Sequence, residues 1–93
     1  MNSSNDAFYS GVELGMLLEN GRQIKGWTPA EAAMRIGVSE NHIVAMENGD
    51  YTEFGHELEM LAVKLRIYAR KLDMDNEKIQ SLISTTMAQL RGK

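Results

Sequence analysis

An all-α fold of five helices is what this sequence predicts, and three observations carry the prediction. Apolar residues recur at three- and four-residue steps, helix-capping residues stand in register between Thr28 and Gly49, and no stretch shows the two-residue alternation of a strand. Ninety-three residues, of which 43% are hydrophobic, suffice for one modest core and not for two. The expected organisation is a flexible N-terminus over 1–8 and a single domain over 9–91.

The first helix is expected from Tyr9 to Lys25, with Val12, Met16, Leu17 and Ile24 among its apolar positions. Gly11, Gly15 and Gly21 weaken it by about 1 kcal/mol each relative to alanine, so close packing against another helix must hold it. Gly26 ends it, and Trp27 is placed to plug the core at the joint. Thr28 is the N-cap of a second helix over 29–36. Pro29 sits where its missing N–H costs nothing, and Glu31 is positioned to complete a capping box. Ala33, Gly37 and Ile43 then fall at the spacing of a helix-turn-helix. A small residue allows the crossing, a glycine takes positive φ in the turn, and a β-branched anchor enters the core. The third helix runs over 39–48 and stops at Asn48-Gly49, which makes 28–49 the helix-turn-helix unit.

Asp50 to Gly55 is a polar loop with two aromatics, Tyr51 and Phe54. A fourth helix is expected from His56 to Leu72, carrying Leu58, Leu61, Leu65, Tyr68 and Leu72 on one stripe. Asp75 or Asn76 caps a fifth, whose Ile79, Leu82, Ile83, Met87 and Leu90 either pack inward or pair two chains as a homodimer.

Composition narrows the function. The absence of cysteine excludes a disulfide framework and thiolate metal sites, and fits a reducing cytoplasm. No apolar run reaches the roughly 20 residues that span a bilayer. His42 and His56 lack acids at ligand spacing, so no metal is expected, and the carboxylates show no sign of a catalytic pair. No enzyme activity, cofactor or small-molecule substrate is expected. The net charge is −3, and its distribution says more than its sum. Between Ile36 and Val63 stand Glu40, Glu47, Asp50, Glu53, Glu57 and Glu59 with no Lys or Arg, whereas Arg66, Arg70 and Lys71 form a basic ridge on the fourth helix.

The residues resemble the Cro/cI-type (Xre) helix-turn-helix superfamily and, more narrowly, its RodZ-like branch, the cytoplasmic module of a bacterial cell-shape protein. The resemblance covers about residues 11–79. It rests on Gly15-x-x-Leu18-x-x-Gly21-Arg22-x-x-x-Gly26-Trp27-Thr28, on Ala33 and Val38-Ser39, on Met46-Glu47-Asn48-Gly49-Asp50-Tyr51, and on Leu65-Arg66-Ile67-Tyr68-Ala69-Arg70-Lys71-Leu72-Asp73-Met74-Asp75. The chain departs from the branch at Gly21, where alanine is usual, and at Gly55-His56, where a proline is common. The resemblance implies a Cro/cI-like helix-turn-helix bundle with one of two partners.

In one reading the module is a protein-interaction adaptor. The resemblance implies a bacterial actin-like cytoskeletal partner bound through the region after the third helix, and Tyr51, Phe54 and Glu47 are the candidate contacts. Tyr51 is expected to be exposed, and Phe54 either contacts the partner or staples the fourth helix into the core. In the alternative reading the module is a sequence-specific regulator of transcription. Its third helix lies in the major groove, Asn41 pairs with adenine, His42 donates to guanine, and Thr28 and Arg35 hold phosphates. Asp50, Glu53 and Glu57 oppose that reading, because they stand where phosphates would approach.

Overall fold

The computed structural model describes residues 3–55 and 57–92, with the side chains of 3–9 and of Glu53 left out of the description. Five α-helices run through the described residues: α1 (Ser3–Lys25), α2 (Pro29–Ile36), α3 (Glu40–Asn48), α4 (Leu58–Lys71) and α5 (Glu77–Arg91). A short 3₁₀ turn, Thr52–Phe54, links α3 to α4, and the described residues contain no strand. The all-α reading holds. No helix among the described residues is long and apolar enough to cross a membrane.

The caps form as their residue types demand. Thr28 Oγ1 accepts from the Glu31 N–H, and the Glu31 carboxylate accepts in return from the Thr28 N–H. Those two bonds hold the Glu31 carboxyl below its ordinary range, the backbone bond contributing most. Gly37 closes α2 at φ 76°, Ser39 caps α3, Gly49 ends α3 at φ 70°, and Asn76 caps α5.

Two boundaries differ from expectation. The helix α1 begins at Ser3, not Tyr9, and replaces most of the flexible segment expected over 1–8. Ser, Asn and Asp are residues that favour helix starts, so the polarity of this segment is that of a helix N-terminus. The helix α4 begins at Leu58, and His56, where it was expected to start, lies outside the described residues.

Leu14, Leu18, Ile43, Met46, Leu61, Leu65, Tyr68, Ile79, Ile83 and Met87 make the centre of a single core. The α5 stripe packs inward, chiefly on α1, so Ile79, Ile83 and Met87 are not free to pair two chains as the homodimer reading required. The glycines of α1 explain how it lies so close to α3. A Cβ added at Gly15 would stand 2.8 Å from the Met46 carbonyl oxygen and closer still to that of Glu47. Gly49 meets the backbone of Gly11 in the same way, at 2.9 Å.

Candidate functional site

Three residues expected at a protein interface lie inside the fold or at its margin. Glu47 projects from α3 into the core and is 7% exposed. Arg22 of α1 donates to it through Nε at 2.8 Å and Nη2 at 3.1 Å, and the Tyr68 hydroxyl of α4 donates to the same carboxylate. Arg22 also donates through Nη1 to the Trp27 carbonyl at 2.8 Å, so one guanidinium fixes α1, α3 and the α1–α2 joint. The bond to Glu47 raises the Arg22 pKa, and burial followed by the Glu47 bond raises that of Tyr68. Glu47 is therefore a structural anchor and not a surface contact.

Phe54 is 3% exposed and stacks on His42 with ring centroids 4.4 Å apart. Of its two readings, the core staple is the one found. Tyr51, expected to be exposed, is half-buried on the backbone of α1, with its ring 3.2 Å from where a Gly11 Cβ would stand. Its hydroxyl has no hydrogen-bond partner among the described residues, and burial pushes its pKa up to about 12. The loop after α3 thus turns its aromatics inward, because a short 3₁₀ turn leaves both within reach of apolar neighbours.

The residues of the DNA reading are dispersed. Asn41 is exposed on α3, where one narrow outer face carries Glu40, Asn41, Val44 and Asn48. Asn41, Val44, Ala45, Asn48 and Asp50 line a shallow concavity of about 260 Å³. His42 is turned away from that face, onto Phe54. Thr28 is occupied in its capping box, and the Arg35 guanidinium lies 4.4 Å over the Trp27 ring. No Lys or Arg belongs to the outer face of α3, and hydrogen bonds from Thr52 favour the ionised form of Asp50 beside it.

A second face went unnoticed in the sequence. Opposite the buried leucines of α4, Val63 is 50% exposed, while Met60 and Ile67, three and four residues from it, are half-buried and pack against the margin of the core. Helical phase puts Lys64 and Lys71 on one side of Val63, and Arg66 and Arg70 on the other with Glu59, which pairs with Arg91 at 2.7 Å, between them. Lys64 Nζ reaches the Gly37 carbonyl at 3.5 Å, which fixes that flank of α4 beside α2. Arg70 stands 3.9 Å from Asp75, while Arg66 and Lys71 have no acidic partner among the described residues. The sequence carries the basic ridge of this face, but its one exposed apolar residue, Val63, has no periodic signal of its own beside the leucine stripe.

The capping box, the small-residue crossing at Ala33, the left-handed Gly37 and the buried Ile43 together make a helix-turn-helix from α2 and α3, held between α1 and α4. No curated protein and no solved structure matches the chain. A family described as a helix-turn-helix domain matches residues 17–79, which run from the middle of α1 into the first turn of α5. That span is about two thirds of the sequence, and the chain belongs to this helix-turn-helix domain family.

Proposed function

We propose that this chain is a non-enzymatic protein-docking adaptor in which the helix-turn-helix serves as scaffold and the outer face of α4 receives the partner. The observation that carries the reading is the exposed Val63 of α4, with Met60 and Ile67 half-buried beside it, on a helix face where Lys64, Arg66, Arg70 and Lys71 outnumber the Arg91-paired Glu59. Apolar anchors ringed by charge are what a protein partner of opposite charge can desolvate. The partner's contact surface is then apolar at its centre and acidic at its rim. The RodZ-like pattern of Leu65 to Asp75 makes a bacterial actin-like filament the first candidate.

The regulator reading finds less support. Phosphate contacts dominate the affinity of proteins for duplex DNA. The outer face of α3 has none to offer beyond helix termini, and Glu40 and Asp50 border it. Asn41 alone remains placed for a base edge.

The deciding experiment is co-sedimentation with filaments of a bacterial actin homologue, beside fluorescence anisotropy against duplex DNA at low salt. Val63→Asp with Lys64→Glu should weaken filament binding at least tenfold, a loss of about 1.4 kcal/mol, and Asn41→Ala should leave it unchanged. Tight DNA binding that Asn41→Ala weakens would establish the regulator instead.

A further inference from the structure

We propose that Asn48 is a site of spontaneous modification, where the side-chain amide is lost to leave aspartate or isoaspartate at the end of α3. The tripeptide Glu-Asn-Gly occurs twice in the chain, as Glu19-Asn20-Gly21 and as Glu47-Asn48-Gly49. A glycine after asparagine leaves the next backbone nitrogen unshielded by any Cβ, and both asparagines are exposed. Intrinsic chemistry is therefore matched at the two places, and the fold is what separates them.

The reaction brings the glycine nitrogen onto the asparagine Cγ, and a regular helix withholds that geometry, so the local turn must first open. Asn20 lies inside α1, with helix on both sides, and Gly21 is packed against Met74 and Leu72. Freeing it means breaking α1 in its length and unpacking it. Asn48 is the last residue of α3 and lines the open concavity with Asn41 and Asp50. The Gly49 N–H is shared between the Ala45 and Met46 carbonyls, the second at 3.4 Å. Helix ends open at lower free energy than helix interiors, so only the last turn of α3 has to yield.

The step balances with water as the sole co-reactant. The Gly49 nitrogen bonds to Asn48 Cγ, the Cγ–Nδ2 bond breaks, and the Gly49 amide proton leaves with Nδ2 as ammonia. Water at Cγ of the cyclic imide then gives aspartate, and water at its main-chain carbonyl gives isoaspartate, whose chain runs on through Cβ and Cγ. Either product adds a negative charge at the C-terminal end of α3, where the helix dipole disfavours it. Isoaspartate also inserts a methylene into the main chain just before Gly49. A Cβ at Gly49 would already stand 2.9 Å from the Gly11 backbone, so the crossing of α1 and α3 has no room for the longer link. The modification thus loosens that crossing.

Peptide mapping by mass spectrometry tests the assignment, on the wild-type chain held in warm, mildly alkaline buffer with and without denaturing guanidinium. In native buffer Asn48 should convert at least about tenfold faster than Asn20, and in guanidinium the two rates should agree within about twofold. An Asn20 that keeps pace in native buffer, an Asn48 that keeps its amide, or a gap that persists in guanidinium overturns the proposal. Asn48→Gln, whose longer side chain closes the ring far more slowly, is the control for other damage. After ageing, the converted wild type should melt below its fresh counterpart while Asn48→Gln keeps its midpoint. A fully converted wild type that melts with the fresh chain overturns the loosening of the α1–α3 crossing.

Discussion

Glu47 and Tyr51 both press toward α1, and burial treats them in opposite ways because only one is answered. The Glu47 carboxylate receives both arms of the Arg22 fork and the Tyr68 hydroxyl, so its desolvation is offset by charged and neutral donors together. The Tyr51 hydroxyl is buried against α1 with no partner among the described residues. An unmade hydrogen bond in the interior costs about 1–3 kcal/mol, and a made one is worth roughly 1 kcal/mol net. Removing the two hydroxyls should therefore have unlike consequences. Tyr68→Phe takes a donor from a buried carboxylate and should lower stability by about 1–3 kcal/mol. Tyr51→Phe removes only an unsatisfied group and should be neutral or stabilising by up to about 1 kcal/mol. Urea denaturation of the two variants reads the contrast directly. Equal losses would mean that the Tyr51 hydroxyl has a partner after all.

At the level of the helices, α1 is the element whose own sequence most opposes it, and contact with α3 is what overrides the opposition. Propensity alone says that Gly15→Ala should stabilise α1 by about 1 kcal/mol. The added Cβ, however, would meet the carbonyl oxygens of Met46 and Glu47, backbone atoms that cannot step aside. Gly15→Ala should instead lower stability by about 1–3 kcal/mol, the usual cost of overpacking. Gly21→Ala is the control, because its Cβ meets the flexible end of Met74 and the Leu72 side chain, and it should cost much less. Thermal unfolding in which Gly15→Ala raises the midpoint would remove the close α1–α3 crossing. The close approach was legible in the sequence, since three glycines in one helix need a reason, and so was the cap at Thr28, which acts over three residues, with Asn76 one of the two caps expected for α5; Ser39 was expected inside α3 and caps it instead. The burial of Glu47 was not legible. Its partner Arg22 lies 25 residues away, and local spacing carries no trace of that pairing. Nor were the directions of Tyr51 and Phe54, because a 3₁₀ turn of three residues has no periodicity from which a facing side can be read. The candidate site moved from the loop to α4 for that reason.

Over the whole molecule, the two described phenols tie three helices together, so their ionisation is a question about the bundle and not about a loop. Burial raises the Tyr51 pKa from 10 to about 12, and burial with the Glu47 bond raises that of Tyr68 further. A group that binds its proton more tightly when folded adds stability in full below its unfolded pKa. That stability is lost as pH rises through the folded value. The window for Tyr51 thus opens near pH 10 and closes near about 12, with Tyr68 extending it upward. Glu31 and Asp50 act at the other end: their lowered values add stability above the ordinary carboxylate range, lost as pH falls through those values. Denaturation midpoints followed by far-ultraviolet circular dichroism should therefore run level across neutral pH and drop steeply above pH 10. Lysines titrate in the same alkaline range, so the wild-type curve alone does not isolate the phenols. Tyr51→Phe does, because it leaves every lysine in place while removing one of the two groups that resist ionisation. Its midpoint should fall less steeply between pH 10 and about 12 than the wild type's, by about 2 kcal/mol over the window. Superimposable curves would mean that Tyr51 ionises as easily folded as unfolded, and that its ring does not lie buried on α1.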